Sequence, residues 1–232
     1  ADGGINLKTY NQSPSGLLCY ISAYAPPMLA GDKLEIRLGT EILTTRVLQP
    51  EEENSNLPVF FRLLSNLLEE GLVEDLHYTL TRNGNTDPDD ISVPLRLLVK
   101  LDLPGGHDKC PHRPGHSELH IVQLPQDVID NGVDAAWAAR GVPMTIPRYL
   151  NIAVRDVIQV KWGRAYLTPH VVTADEAAGT TPIVITAVQE DILAGGDGNA
   201  VPVHYEIHDE VWNYSVDWSQ STNVKVEAGG ER

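Results

Sequence analysis

With 232 residues, average apolar content and a formal net charge of −15, the chain has room for one large domain or two of ordinary size, and it should fold rather than stay disordered. That charge argues against nucleic acid, whose phosphates need clustered Lys and Arg, and against docking on anionic lipid. No apolar run reaches about 18 residues, so no transmembrane helix is predicted. Two Phe against eight Tyr, with many Val, Ile and Thr, lean the chain toward strands.

It begins on Ala1 without a signal-peptide pattern and reads as a mature protein or an excised piece of a longer one. Residues 1–16, rich in Gly, Asn, Ser and Pro, look loosely structured, with Ile5 to Tyr10 as a weak first strand. Leu17 to Tyr24 then alternates, placing Leu17, Cys19 and Ile21 on one side. The next stretch, Gly31-Asp32-Lys33-Leu34-Glu35-Ile36-Arg37-Leu38-Gly39, organises the whole chain because it returns as Arg155-Asp156-Val157-Ile158-Gln159-Val160-Lys161-Trp162-Gly163. An Asp opens each copy, apolar residues alternate inward, charged or amide residues point out, and a Gly closes it. The offset, 163 − 39, is about 124 residues, too long for a solenoid repeat and suited to two copies of a small domain. On this face assignment Glu35→Lys changes stability by less than about half a kcal/mol.

The copies continue in step. Ile42 to Leu48 answers to Tyr166 to Val172, acidic turns follow at Glu51-Glu52-Glu53 and Asp175-Glu176, and Pro58-Val59-Phe60-Phe61 answers to Pro182-Ile183-Val184-Ile185. Val142, Met144 and Ile146 repeat the first alternating segment, with Tyr149 standing where Tyr24 does. Arg62 to Glu70, with Leu63, Leu64, Leu67 and Leu68 spaced along it and Gly71 at its end, predicts a short helix, matched by Gln189 to Ala194. Leu76-His77-Tyr78-Thr79-Leu80 answers to Val203-His204-Tyr205-Glu206-Ile207, and the copies end on Leu97 to Leu101 and Thr222 to Val226. Six or seven short strands per copy predict an all-β chain of two sandwiches, 1–104 and 118–232, each with a short helical turn. Residues 105–117 read as a Pro/Gly/His-rich linker, and Glu118 to Leu124 as the first strand of the second copy.

The segment Asp209-Glu210-Val211-Trp212-Asn213-Tyr214-Ser215, followed by Trp218-Ser219, resembles the Asp-x-x-Gly-Asn-x-Ser loop of tandem bacterial Ig-like repeats in large surface proteins and adhesins. The Gly-Asp-led strand of the first copy is similar to theirs as well. Trp212 stands where that pattern has Gly, and the first copy has Asn83-Gly84-Asn85 with no Asp ahead of it. The resemblance implies tandem Ig-like β-sandwiches in an exported, cell-surface bacterial protein of many repeats, used as a non-catalytic structural or adhesive module. It implies no enzyme activity and no particular ligand; the partner is an unnamed surface protein or glycan.

Candidate chemistry is sparse. His107, Cys110, His112 and His116 carry zinc-ligand side chains, with Asp108 and His120 nearby, but their spacing matches no standard site and Pro111 and Pro114 interrupt them; a polar linker is the favoured reading. Asp87, Asp89 and Asp90 beside Asn83 and Asn85 offer oxygens for calcium without the ligand order of a calcium loop, and read as a solvated turn. Gly195-Gly196-Asp197-Gly198-Asn199 reads as a turn rather than an anion cradle in so acidic a chain. No cofactor is expected. Cys19 and Cys110 make no disulfide framework, and one bridge or two separate thiols stay open. No nucleophile elbow occurs, and His77 and His204 sit at equivalent positions, which favours inheritance by duplication over a site. The rival to a structural module is a carbohydrate-binding or enzyme-accessory sandwich in which Trp137, Trp212 and Trp218 form a sugar platform.

Overall fold

The repeated Asp-led strand forms in both halves of the chain. In the computed structural model, which describes residues 1–12, 14–25 and 27–229, it spans Lys33–Leu38 and Val157–Trp162. The chain divides between Leu101 and Asp102 into two compact units, Ala1–Leu101 and Asp102–Arg232.

The first unit runs β1 (Gly3–Ile5), α1 (Leu7–Tyr10), β2 (Leu17–Ile21), β3 (Lys33–Leu38), β4 (Glu41–Val47), β5 (Val59–Leu63), β6 (Gly71–Thr81), β7 (Asp90–Ile91) and β8 (Leu95–Val99). One sheet has the order β1-β8-β6-β3-β4, with β7 on β6; β2 and β5 pair as a second, antiparallel ladder. The second unit runs α2 (Gln126–Asn131), β9 (Val133–Asp134), α3 (Ala135–Arg140), β10 (Val142–Ile146), β11 (Val157–Trp162), β12 (Ala165–Tyr166), β13 (His170–Val171), α4 (Ala174–Ala178), β14 (Ile183–Ala187), α5 (Gln189–Gly195), β15 (Gly198–His208) and β16 (Thr222–Glu227). Its sheets repeat the plan, β12-β11-β15-β16-β9 with β13 on β11, and β10 against β14. The described chain is thus mostly β, with four sheets in two groups.

Equivalent residues do equivalent work. Ile36 lies opposite Tyr78 and Val160 opposite Tyr205; Leu34 and Ile158 lie opposite Leu80 and Ile207. Leu34, Ile36, Ile158, Val160 and Trp162 are all buried, as period-two patterning requires, and Leu38 packs at the margin of its core. Gly39 and Gly163 close these strands at φ of 57° and 54°. At Gly163 a Cβ would meet the Gly195 carbonyl oxygen at 2.4 Å, so no other residue fits there.

Each unit also carries the same carboxylate latch. Asp32 is fully buried and accepts from the Tyr24 hydroxyl (3.0 Å), the Leu29 and Asn83 amides (3.2 and 3.1 Å) and Arg82 Nη1 (2.8 Å). Burial alone would raise its pKa, but these donors outweigh it and hold the carboxyl below its usual range. In the second unit Asp156 accepts from the Tyr149 hydroxyl at 2.9 Å and the Ala153 amide at 2.9 Å. Both tyrosines are pushed well above their ordinary pKa, chiefly by burial and then by the neighbouring carboxylate. A second shared fastening joins β6 and β15 to the loops that follow them: Ser92 Oγ accepts from the Tyr78 amide at 2.9 Å, and Ser219 Oγ from the Tyr205 amide at 3.1 Å.

Several expectations need correction. Glu35 is 5% exposed rather than outward, held by Lys33 Nζ at 2.9 Å and Arg37 Nη2 at 2.8 Å. Hydrogen bonds from Arg37 and Lys33 keep its carboxyl ionised below the usual range. Glu35→Lys therefore sets three cations side by side and should cost about 2 kcal/mol, read as a lower urea midpoint at unchanged slope. Arg62 to Glu70 is not a helix. Val59, Phe61 and Leu63 alternate inward along β5, and only Ser65–Leu67 turn as a 3₁₀ segment, because pairing with β2 outcompetes a weak leucine periodicity. The stretch Tyr166 to Val172 breaks into β12 and β13 around Pro169, which has no N–H to give the ladder. Residues 1–12 are more ordered than their composition suggests, holding β1 and α1.

The first strand of the second copy is β9, not Glu118 to Leu124. β1 and β9 both pair in parallel with the last strand of their sheet, Ile5 beside Val99 and Val133 beside Val226. Each runs into a short helix capped by its own side chain, Asn6 accepting from the Thr9 amide and Asp134 from the Trp137 amide. The residues ahead of β9 form a strap on the second unit. His116 N–H bonds the Trp218 carbonyl at 2.7 Å, and Thr222 Oγ1 donates to the Val122 carbonyl at 2.6 Å. Gln123 exchanges bonds with Thr145, and Leu119, Val122 and Val128 are buried in the core. Gly105 and Gly106, which composition places in a linker, are buried.

Among the described residues the Trp162 indole N–H and the Tyr205 hydroxyl are both buried without a hydrogen-bond partner. Tyr205→Phe should leave stability unchanged or raise it by about 1 kcal/mol, since the folded state no longer dehydrates an unpaired hydroxyl. Calorimetric melting of the variant against the parent reads this directly.

Candidate functional site

The second unit presents a strip of aromatic and polar side chains on the outer face of β15. Alternation sends Val203, Tyr205 and Ile207 into the core and leaves His204, Glu206 and His208 facing out. Across the ladder these stand beside Lys161, Gln159 and Val157 of β11, and Tyr166 of β12 lies beside Lys161. One end of the strip is built on His204. The Trp218 ring lies 4.7 Å from it and 6.1 Å from Tyr166, whose face carries Lys161 Nζ at 5.1 Å. The other end is built on His208, which stacks on Trp212 at 4.5 Å and 9°, with Tyr214 at 5.5 Å from His208 and 5.9 Å from Trp212.

Trp212 is held by the loop that the resemblance singled out. Asp209 is buried and accepts from the Val211 amide, the Asn213 amide and Asn213 Nδ2, each at 2.9 Å, so the chain must turn sharply between them. Trp212 makes that turn at φ 65°, in the left-handed region, where the Ig-like pattern has Gly. The loop after β6 in the first unit turns with Gly84 at φ 92°. A bulky side chain in this conformation costs on the order of 1–3 kcal/mol. Despite that cost the indole is 59% exposed, so burial does not repay it.

Electrostatics along the strip are mixed. Burial, with Lys161 adding, lowers the His204 pKa against the pull of Asp217, which favours the neutral imidazole. Its Nδ1 lies 3.2 Å from Ser221 Oγ. Burial raises the Glu206 carboxyl, and His208 opposes that shift. The strip thus offers a cationic donor at Lys161, a carboxylate acceptor at Glu206 and two imidazoles between aromatic ends.

Trp212 and Trp218 thus flank one face, whereas Trp137 does not belong to it. Trp137 sits on α3, its Nε1 donating to Asp127 Oδ2 at 2.8 Å with Arg140 stacked over the ring at 4.4 Å. The proposed metal ligands are not brought together: among the described residues no group of three or more His, Cys, Asp or Glu is placed to hold a metal. His107 and His112 are exposed and Cys110 is half-buried. His116 is buried with both ring nitrogens engaged, Nδ1 accepting from the Glu118 amide at 3.2 Å and Nε2 3.3 Å from the Gly106 carbonyl. Asp108 accepts instead from Cys110 and Ser117, whose bonds hold its pKa down. In the first unit Asp89 closes the turn after β6, taking the Arg82 amide at 2.7 Å and Asn85 Nδ2 at 2.7 Å. Cys19 and Cys110 are free thiols.

The chain matches no family model and no curated protein. Among solved structures it is similar to a 1.5-MDa bacterial ice-binding adhesin, with 15% identity over 98% of this chain and 62% of that one, at a TM-score of 0.39. It is also similar to a Ca2+-stabilized adhesin with which an Antarctic bacterium binds ice, at 14% identity, 97% and 46% coverage and a TM-score of 0.39. The chain spans less than two thirds of either neighbour's length.

Sequence reasoning set His204 aside as a position inherited by duplication and gave no site role to Glu206, His208, Tyr166 or Tyr214. Their signal was present: His204, Glu206 and His208 alternate outward, and Tyr214 lies two residues beyond Trp212.

Proposed function

We propose that the chain is a pair of tandem Ig-like β-sandwich domains that serves as a non-catalytic structural or adhesive module of an exported bacterial surface protein. The observation that carries this reading is what the duplication preserved. The Tyr24–Asp32 and Tyr149–Asp156 latches, the Tyr78–Ser92 and Tyr205–Ser219 fastenings and the glycine closures are all scaffold. Parallel pairing of the first and last strands within each antiparallel-rich sheet fits an Ig-like sandwich. A module that bears load keeps its fastenings, and polar groups that do not recur are free to drift.

Pulling the chain from its ends tests the reading. The two units hold 101 and 131 residues, counted from Ala1–Leu101 and Asp102–Arg232. Each residue released adds about 3.6 Å, so force extension should show two separate steps of about 35 and 45 nm. A featureless extension at low force would remove the load-bearing module from consideration.

A further inference from the structure

We propose that the outer face of β15 in the second unit is a binding site for a neutral glycan, with Trp212 as the stacking platform and Glu206 and Lys161 as hydroxyl-binding groups. This goes beyond the reading of the chain as a structural module, which stands whether or not the face binds a sugar. The strongest observation is Trp212 itself. The left-handed corner after β15 is made by the largest side chain, at φ 65° and 59% exposed. Val216 of the same loop is also strained, at φ 70°, and exposed, so what sets Trp212 apart is a ring held in the open against His208 at 4.5 Å.

Chemistry selects the ligand class. A pyranose presents an apolar face of C–H groups and a rim of hydroxyls that both donate and accept. Trp212 is braced from one side by the His208 ring at 4.5 Å and flanked by Tyr214, which fixes its orientation before anything binds. Outward residues of β15 and β11 then supply both hydrogen-bonding senses, the Glu206 carboxylate as acceptor and, across the ladder from His204, the Lys161 ammonium as donor. A second aromatic end, Trp218 beside His204 and Tyr166, lies four residues back along the strand, about 13 Å away, so the strip accommodates more than a single ring. A polyanion is disfavoured by the net charge of −15 and by Glu206. A cationic peptide is disfavoured by Lys161, whose ammonium already occupies the Tyr166 face at 5.1 Å.

Titration calorimetry and tryptophan emission on the intact chain test the assignment, using a panel of neutral hexasaccharides: β-1,4-glucan, β-1,3-glucan, chitin and mannan fragments, with heparin and oligolysine as charged controls. At least one neutral oligosaccharide should bind with a dissociation constant of about 1 mM or tighter and shift the emission. Trp212→Gly, which removes the ring and suits the backbone, should weaken that binding at least about tenfold while the melting temperature holds. Trp137→Phe should leave binding unchanged. If the Gly variant melts lower, Tyr214→Ser reads the same surface, and undiminished binding in it overturns the proposal. So does a panel in which no neutral sugar binds, binding confined to heparin or oligolysine, or affinity unchanged in Trp212→Gly.

Discussion

Val160→Asp should unfold the second unit at temperatures where the parent is folded. Val160 is 1% exposed in the middle of β11, facing Tyr205 across the ladder within a core that includes Ile158, Trp162, Met144 and Ile207. The substitution removes an apolar side chain and leaves a carboxylate without water or a partner, a loss above about 4 kcal/mol. Hydrogen exchange should show β11, β15 and β16 deprotected while β3 and β6 keep their protection. Ile36→Asp should do the converse in the first unit, with a somewhat smaller loss because Ile36 is 8% exposed. A melting curve within a few degrees of the parent for either variant would mean that the repeated strand does not face the core.

The next largest effect belongs to the Asp32 latch. Asp32→Ala strips the acceptor from Arg82, Tyr24 and two backbone amides at once, in a site with no exposure, and should cost about 3–5 kcal/mol. Tyr24→Phe removes one of these bonds and should cost about 1 kcal/mol. The carboxyl also sets a pH dependence. Its folded pKa lies below the value of about 3.9 that an unfolded Asp shows. Its contribution is therefore complete above that value and is lost as the pH falls through the depressed folded pKa. Acid unfolding of the first unit should become less steep below about pH 4 in Asp32→Asn than in the parent. A parent and variant with parallel acid transitions would show that other carboxylates govern the response.

Much of the scaffold was legible because it obeys a period of two and is written twice. The Gly-Asp-led strand, the alternation at Val142, Met144 and Ile146, and the pairing of Tyr78 with Tyr205 all follow from spacing. Illegible parts were those decided by partners far away in sequence. Glu35 looks like a solvent residue until Lys33 and Arg37 are seen to wrap it. Leu63 to Leu68 shows helical spacing locally, but β2 supplies a partner 46 residues away, opposite Leu17. The Tyr–Asp latches were visible as repeated residues and not as pairs, since nothing in spacing says that a Tyr hydroxyl reaches an Asp seven or eight positions on. Likewise the histidines of residues 105–117 suggested a ligand cluster, when the backbone there runs beside Trp218 and buries His116 instead. The aromatic strip was half legible: Trp212 and Trp218 stood out by type, and only the fold separates them from Trp137.

The strap ahead of β9 separates the stretch of chain that repeats from the stretch that folds. By strand correspondence the repeat opens at Val133, while the compact unit opens at Asp102, 133 − 102 = 31 residues earlier. A gene duplication that copied only β9 to β16 would deliver a domain lacking Leu119, Val122 and Val128 from its interior. Such a copy would be born with apolar side chains in water and would be selected against or forced to recruit a new cover. The folding cassette of the second unit is therefore strap plus repeat, and a cut between strap and β9 strips the core of its cover.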